Sequence, residues 1–152
     1  SNKWRVEDFD VKALVKEIKR VGMRAAANYM IGFPDETAEE IEETIEFAKK
    51  NMSYGLDASN FFLVMPLPGT PMFDEVTLNG QLPKDYNIDR MQWTKANMVN
   101  TSISPKKLEE IRQRAWEDCN LAEHIKNRQE WQIDDINTGE IHSDKLQRGN
   151  HV

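Results

Sequence analysis

The sequence predicts an α/β fold organised around a right-handed parallel strand–helix–strand unit. Two apolar runs, Ala25-Ala26-Ala27-Asn28-Tyr29-Met30-Ile31-Gly32-Phe33 and Asn60-Phe61-Phe62-Leu63-Val64-Met65, are too short for independent helices and read as buried strands. Between them lies a segment with strong helix-start and helix-stop signals. A helix joining two such strands makes them parallel with a right-handed crossover. With 152 residues the chain is one ordinary domain or a piece of a larger one.

Asp10 caps a first helix over 11–21, where Val11, Leu14, Val15 and Ile18 recur at helical spacing and Gly22 is the stop. The first strand follows and ends at Pro34. Thr37 and Glu40 form a capping box for a helix over 38–51; glutamates crowd its positive end, and Lys49-Lys50 sit at its negative end. After the Ser53-Tyr54-Gly55 break comes the second strand, and the apolar character of both runs predicts strands covered on both faces. Pro66, Pro68, Gly69 and Pro71 enforce a rigid loop, and 72–100 reads as a short helix followed by irregular chain. Ser104 and Pro105 open a long helix expected to reach about Asn127, with Leu108, Ile111, Ala115, Cys119 and Ala122 on one face. From Gln129 the chain reads as a polar tail with at most a small hairpin at Asn137-Thr138-Gly139.

Twenty Lys and Arg against 26 Asp and Glu give a net charge of −6, which argues against nucleic acid or an anionic membrane surface as a partner. No apolar run approaches the roughly 20 residues of a membrane span, and no signal-like segment opens the chain, so a cytoplasmic protein is expected. The single cysteine, Cys119, excludes an internal disulfide and cannot by itself hold zinc or an iron–sulfur cluster. Its neighbours on the helix face predict a buried apolar role. His124 suits a helix end, His142 falls in an acidic stretch without metal-loop spacing, and Trp93, Trp116 and Trp131 read as core or interface anchors.

Parallel strands place the loops Gly32-Phe33-Pro34-Asp35-Glu36 and Pro66-Leu67-Pro68-Gly69-Thr70 on one rim, where α/β folds bind ligands. Gly32 permits close backbone approach, Ile31, Phe33, Met65 and Leu67 offer apolar contact, and Asp35 or Glu36 can accept hydrogen bonds. The acidic helix start opposes a phosphate and suits a nucleoside better. On spacing alone the alternative stands that both loops are purely structural.

Met30-Ile31-Gly32-Phe33-Pro34-Asp35-Glu36-Thr37, the acidic helix after it, and Met65-Pro66-Leu67-Pro68-Gly69-Thr70-Pro71-Met72-Phe73 resemble the last two barrel strands of the radical S-adenosylmethionine (SAM) superfamily. The likeness is strongest to members often preceded by a cobalamin-binding domain, and it covers about residues 10–125. It implies a fragment of an open (β/α)6 partial TIM barrel in which a [4Fe-4S] cluster and SAM generate a 5′-deoxyadenosyl radical. Carried onto this chain, it implies that Ile31 packs on adenine, Gly32 leaves room for it, Phe33 lies beside it, and Met65 or Leu67 lines the opposite side. Asp35 stands where many relatives have Gly.

The family's cluster-binding cysteines are absent, so the resemblance implies the carboxyl-terminal part of a longer enzyme, an oxidoreductase or methyltransferase, inactive alone. Residues 1–100 would belong to the barrel, 101–128 to a helix packed on it, and 129–152 to the tail. SAM and the [4Fe-4S] cluster would serve the parent protein, with cobalamin a further possibility. The implied partners are the missing amino-terminal half of the barrel and a small-molecule substrate. Alone, the exposed sheet edges predict a homo-oligomer. Two other readings stay open: a self-sufficient α/β interaction module, and an unrelated nucleotide-binding enzyme using the same rim.

Overall fold

The computed structural model describes residues 10–137, with side chains described through Glu130. The elements are helix α1 (Val11–Arg20), strand β1 (Ala26–Ile31), helix α2 (Ala38–Met52), strand β2 (Ala58–Leu63), and helices α3 (Pro71–Leu78), α4 (Pro105–Cys119) and α5 (Ala122–Asn137). A single 3₁₀ turn occupies Ile88–Arg90. The molecule divides into two compact units, the first ending at Cys119 and the second beginning at Asn120.

The caps form as their residue types require. Asp10 Oδ1 accepts from Ala13 N at 2.9 Å, and Gly22, at φ +77°, follows the end of α1. At α2 the box is reciprocal: Glu40 N donates to Thr37 Oγ1 (3.2 Å) and Thr37 N donates to Glu40 Oε2 (2.9 Å). Thr70 caps α3, whose first residue is Pro71.

β1 and β2 pair in parallel, from Ala26 beside Ala58 to Ile31 beside Leu63. The second strand therefore lies two residues earlier than the apolar run implied, because its partner β1 ends at Ile31, before Gly32 turns the chain at φ +86°. Strand alternation sends Tyr29, Ile31, Phe61 and Leu63 to one face. There they form the main core with Ile41, Ile45 and Ala48 of α2 and Leu108, Ile111, Ala115 and Cys119 of α4. Tyr29 stacks on Phe61 with ring centres 5.2 Å apart.

The other face corrects the expectation of strands buried on both sides. Ala26, Asn28 and Met30 are exposed there, and Asn60 and Phe62 are half-buried. The run looked almost uniformly apolar because an alanine and a methionine flank Asn28 at its open positions, and these tolerate solvent. The sheet edges also differ. Beyond β2, Leu63 N donates to Trp93 O (2.7 Å) and the Arg112 guanidinium Nε donates to Phe61 O (3.0 Å). Among the described residues, β1 pairs only with β2.

Two smaller clusters flank the core. Val15, Ala25 and Leu56 seat α1, and Asp57 ties it down through Lys19 Nζ (2.7 Å) and Ala25 N (2.8 Å). Val64, Val76 and Met98, with Phe33, Met72 and Leu82 against them, join α3 to the strand ends.

The expected single helix from 105 to about 127 is interrupted: α4 stops at Cys119 and α5 starts at Ala122. Asn120 stands at the break, where a short amide competes with the helical backbone for hydrogen bonds, and its Oδ1 accepts from the Arg128 guanidinium (3.3 Å). Residues 129–137, read as tail, are helical. The hairpin expected at Asn137-Thr138-Gly139, His142 and the side chain of Trp131 fall outside what is described.

Candidate functional site

The two candidate loops begin from register partners, Ile31 and Leu63, and Val64 N still donates to Ile31 O (3.1 Å) beyond the last pair. Both loops therefore open at the same end of the sheet.

The first loop is held by its own residues. Glu36 is buried, and its Oε2 accepts from Gly32 N (2.6 Å) and Phe33 N (3.2 Å), while Glu36 N donates to Phe33 O (3.1 Å). That carboxylate works as a clamp on two backbone amides rather than as an open acceptor for a ligand. Asp35, next to it, is exposed. Pro34 O accepts from Ser102 N (3.2 Å) and Ser102 Oγ (3.3 Å), tying the loop to the approach to α4.

Gly32 adopts φ +86°, a left-handed conformation natural to glycine. A Cβ at this position would lie 2.6 Å from Leu108 Cδ2. The space that the missing side chain leaves is thus taken by Leu108 of α4, in place of the open room that the resemblance implied. Ile31 has no exposed surface and lies wholly in the core. Phe33 is half-buried against the Val64–Val76–Met98 cluster.

In the second loop Met65 is half-buried, Pro66 is buried, and Leu67 is 41% exposed. The Tyr86 hydroxyl donates to Pro66 O (2.8 Å), and Thr70 Oγ1 donates to Leu67 O (2.8 Å), so Leu67 projects from a braced turn. Of the five apolar or glycine positions singled out in the sequence, Leu67 is the exposed one; Phe33 and Met65 keep part of their surface.

Sequence reasoning missed the open sheet face beside this rim. Asn28 and Asn60 lie side by side in register, and Asn60 Nδ2 donates to Asn28 Oδ1 (3.0 Å). One step toward the rim, Met30 lies beside Phe62, whose ring meets Trp93 edge-on with centres 5.3 Å apart. Trp93, expected as a core or interface anchor, is 59% exposed. The available signal was the alternation Asn28, Met30 against Tyr29, Ile31, which an apolar count averages away.

A separate open depression of about 630 Å³ lies over α4, between Lys106, Glu109, Arg112 and the Thr94-Lys95 stretch. Its lining residues are all charged or polar, with both signs of charge, and what apolar surface they offer comes from their stems rather than from the hydrophobic side chains of a small-molecule site.

Among the described residues no cluster of three or more His, Cys, Asp and Glu side chains is placed to hold a metal ion. Cys119 is buried in the core, and burial pushes its thiol up to about 11, the opposite of what a metal-binding thiolate needs. The residues of this chain therefore do not fit an iron–sulfur cluster. No described helix is long and apolar enough to cross a membrane.

The chain is 43% identical over 92 residues to an uncharacterized methyltransferase of Pyrococcus horikoshii; the match covers 60% of this chain and 18% of that protein. It is 36% identical over 64 residues to the tRNA-2-methylthio-N(6)-dimethylallyladenosine synthase of Hydrogenovibrio crunogenus, covering 41% of this chain and 13% of the synthase. The synthase of the same name from Aquifex aeolicus is 30% identical over 82 residues, 54% of this chain and 17% of its own length. The chain thus spans less than a fifth of these relatives. No family model and no solved structure matches it.

Proposed function

We propose that this chain forms the last two strand–helix units of a radical SAM partial barrel, within a longer methyl- or methylthio-transferring enzyme. The observation that carries the reading is the one-sided sheet. Helices α2 and α4 cover one face, as the outer ring of a barrel does, and the face carrying Asn28, Met30, Asn60 and Phe62 has no helix over it, as the inner face of a barrel wall has none. Similarity to a methyltransferase and to methylthio-adenosine synthases supports it.

On this reading residues 1–100 complete the barrel, and α4 (Pro105–Cys119) packs behind it. Phe33, Met65 and Leu67 supply the distal apolar wall for the adenine of SAM at the rim. Ile31 and Gly32 shape that wall from behind, since both are buried. The cluster that activates SAM is held by residues outside this chain, and the chain alone is inactive. The substrate is a small molecule or a small modified group, and the neutral open face meets it. Cobalamin use and a cytoplasmic location belong to the same proposal.

The test is anaerobic iron and sulfide reconstitution of a longer polypeptide that contains this chain and a three-cysteine motif, followed by reduction in the presence of SAM. Formation of 5′-deoxyadenosine, lowered by Leu67→Asp with the cluster's absorbance unchanged, supports the proposal. A reconstituted polypeptide that does not cleave SAM, or a Leu67→Asp variant that cleaves it as fast as the parent, overturns it.

A further inference from the structure

The inference deepens the reading of the open face as a chamber wall and rests on it. Asparagine is disfavoured in strands, and here two of them occupy adjacent strands in direct register. Neither caps a helix, spans a turn or satisfies a buried group, since the face they share is open. Their described return is the bond they make to each other across the strands, and it leaves further amide groups of the pair unspent.

The hydrogen-bond arithmetic of the pair is specific. Asn60 Nδ2 donates to Asn28 Oδ1, which leaves the Asn28 amide nitrogen and the Asn60 amide oxygen unspent. Exchanging the two amide orientations leaves the same stock: one nitrogen donor on one residue and one oxygen acceptor on the other. The inter-strand bond also holds both side chains in one arrangement, so less freedom remains to be lost on binding. Beside them Met30, Phe62 and the exposed Trp93 provide flat apolar surface, and no charged residue occupies this face of either strand.

We infer that Asn28 and Asn60 form a reading pair for a planar, uncharged heterocycle that carries both a hydrogen-bond donor and an acceptor on its edge. Aminopyrimidine and lactam rings have this chemistry. The ring would lie against the Met30, Phe62 and Trp93 surface while its edge meets the two amides.

Cytidine is a suitable probe, with zebularine, which lacks only the exocyclic amino group, as its matched control. Titrated into ¹⁵N-labelled chain, cytidine is expected to shift the side-chain amide signals of Asn28 and Asn60 and the indole signal of Trp93. Its affinity should exceed that of zebularine about fivefold, the value of one neutral hydrogen bond. An Asn28→Leu/Asn60→Leu double variant should lose this preference while keeping the parent's melting temperature and backbone spectrum. Equal affinities, unshifted Asn amide signals, or a preference that survives in the double variant each overturn the inference. The barrel reading is judged separately by 5′-deoxyadenosine formation, so a failed titration beside intact SAM cleavage removes the reading pair alone.

Discussion

Replacing Gly32 by Ala tests how the rim is built. The substitution acts twice: it places a side chain at φ +86°, and it sets a Cβ 2.6 Å from Leu108 Cδ2, with Cδ1 at 3.3 Å and Cγ at 3.4 Å. The left-handed backbone costs an L-residue about 1–2 kcal/mol. Leu108 is 5% exposed and packed in the main core, so it cannot swing into solvent, and overpacking of this kind costs about 1–3 kcal/mol. The sum is a loss of roughly 2–5 kcal/mol, or a fall in melting temperature of roughly 5–15 °C at this chain length. Urea titration followed by far-ultraviolet circular dichroism measures it.

A second substitution separates the two terms. Leu108→Val removes the Cδ atoms at a modest cost of about 1 kcal/mol. In that background Gly32→Ala should lose only the backbone term, giving a favourable coupling of about 1–3 kcal/mol. A Gly32→Ala variant within about 0.5 kcal/mol of the parent, or one whose loss is the same in both backgrounds, refutes the assignment of the Gly32 space to Leu108.

Glu36→Ala should cost about 2–4 kcal/mol, because Gly32 N and Phe33 N lose their acceptor, while Glu36→Gln should recover most of it; equal losses in chemical denaturation would contradict the clamp. Burial raises the Cys119 thiol from 9.0 to about 11, so the unfolded chain ionises first and stability falls as pH climbs from about 9 toward 11. Cys119→Ala should flatten that alkaline limb, with a remainder from Tyr29, whose hydroxyl burial also pushes upward; parallel stability curves for parent and variant would disprove it. The isolated chain should sediment as a dimer or larger through its β1 edge, and a monodisperse monomer by light scattering at micromolar concentration would refute this.

Much of the fold was legible because its signals are local. The Thr37–Glu40 box, the Asp10 cap and the Pro66–Pro71 loop act within a few residues, and each appears where its chemistry demands. What was not legible depends on partners distant in the chain. That Gly32 makes room for Leu108, 76 residues away, has no sequence signature, and neither does the capture of the Phe61 carbonyl by Arg112. The open face escaped notice because apolar count outweighed alternation: Met30 and Ile31 are equally apolar and point to opposite sides. The break at Asn120 was hidden by a helical face that continues past it in sequence.

The two edges of the sheet bear on both the proposed barrel and the predicted self-association. A two-stranded sheet is marginal alone, and an uncovered edge recruits another strand. Beyond β2 the Phe61 carbonyl is met by a guanidinium that burial draws below its ordinary pKa, and the Leu63 amide is met by the Trp93 carbonyl. A strand arriving there would have to displace both bonds, leaving Arg112 partly buried without its acceptor. No described residue pairs with the opposite side of β1, where a new strand displaces nothing described. Strand addition is therefore favoured at β1, where the neighbouring strand of the proposed barrel and a second copy of the chain would compete for one edge. It follows that self-association of the isolated chain should disappear in a longer polypeptide that supplies the neighbouring strand. Association that persists there unchanged would place the contact somewhere other than β1.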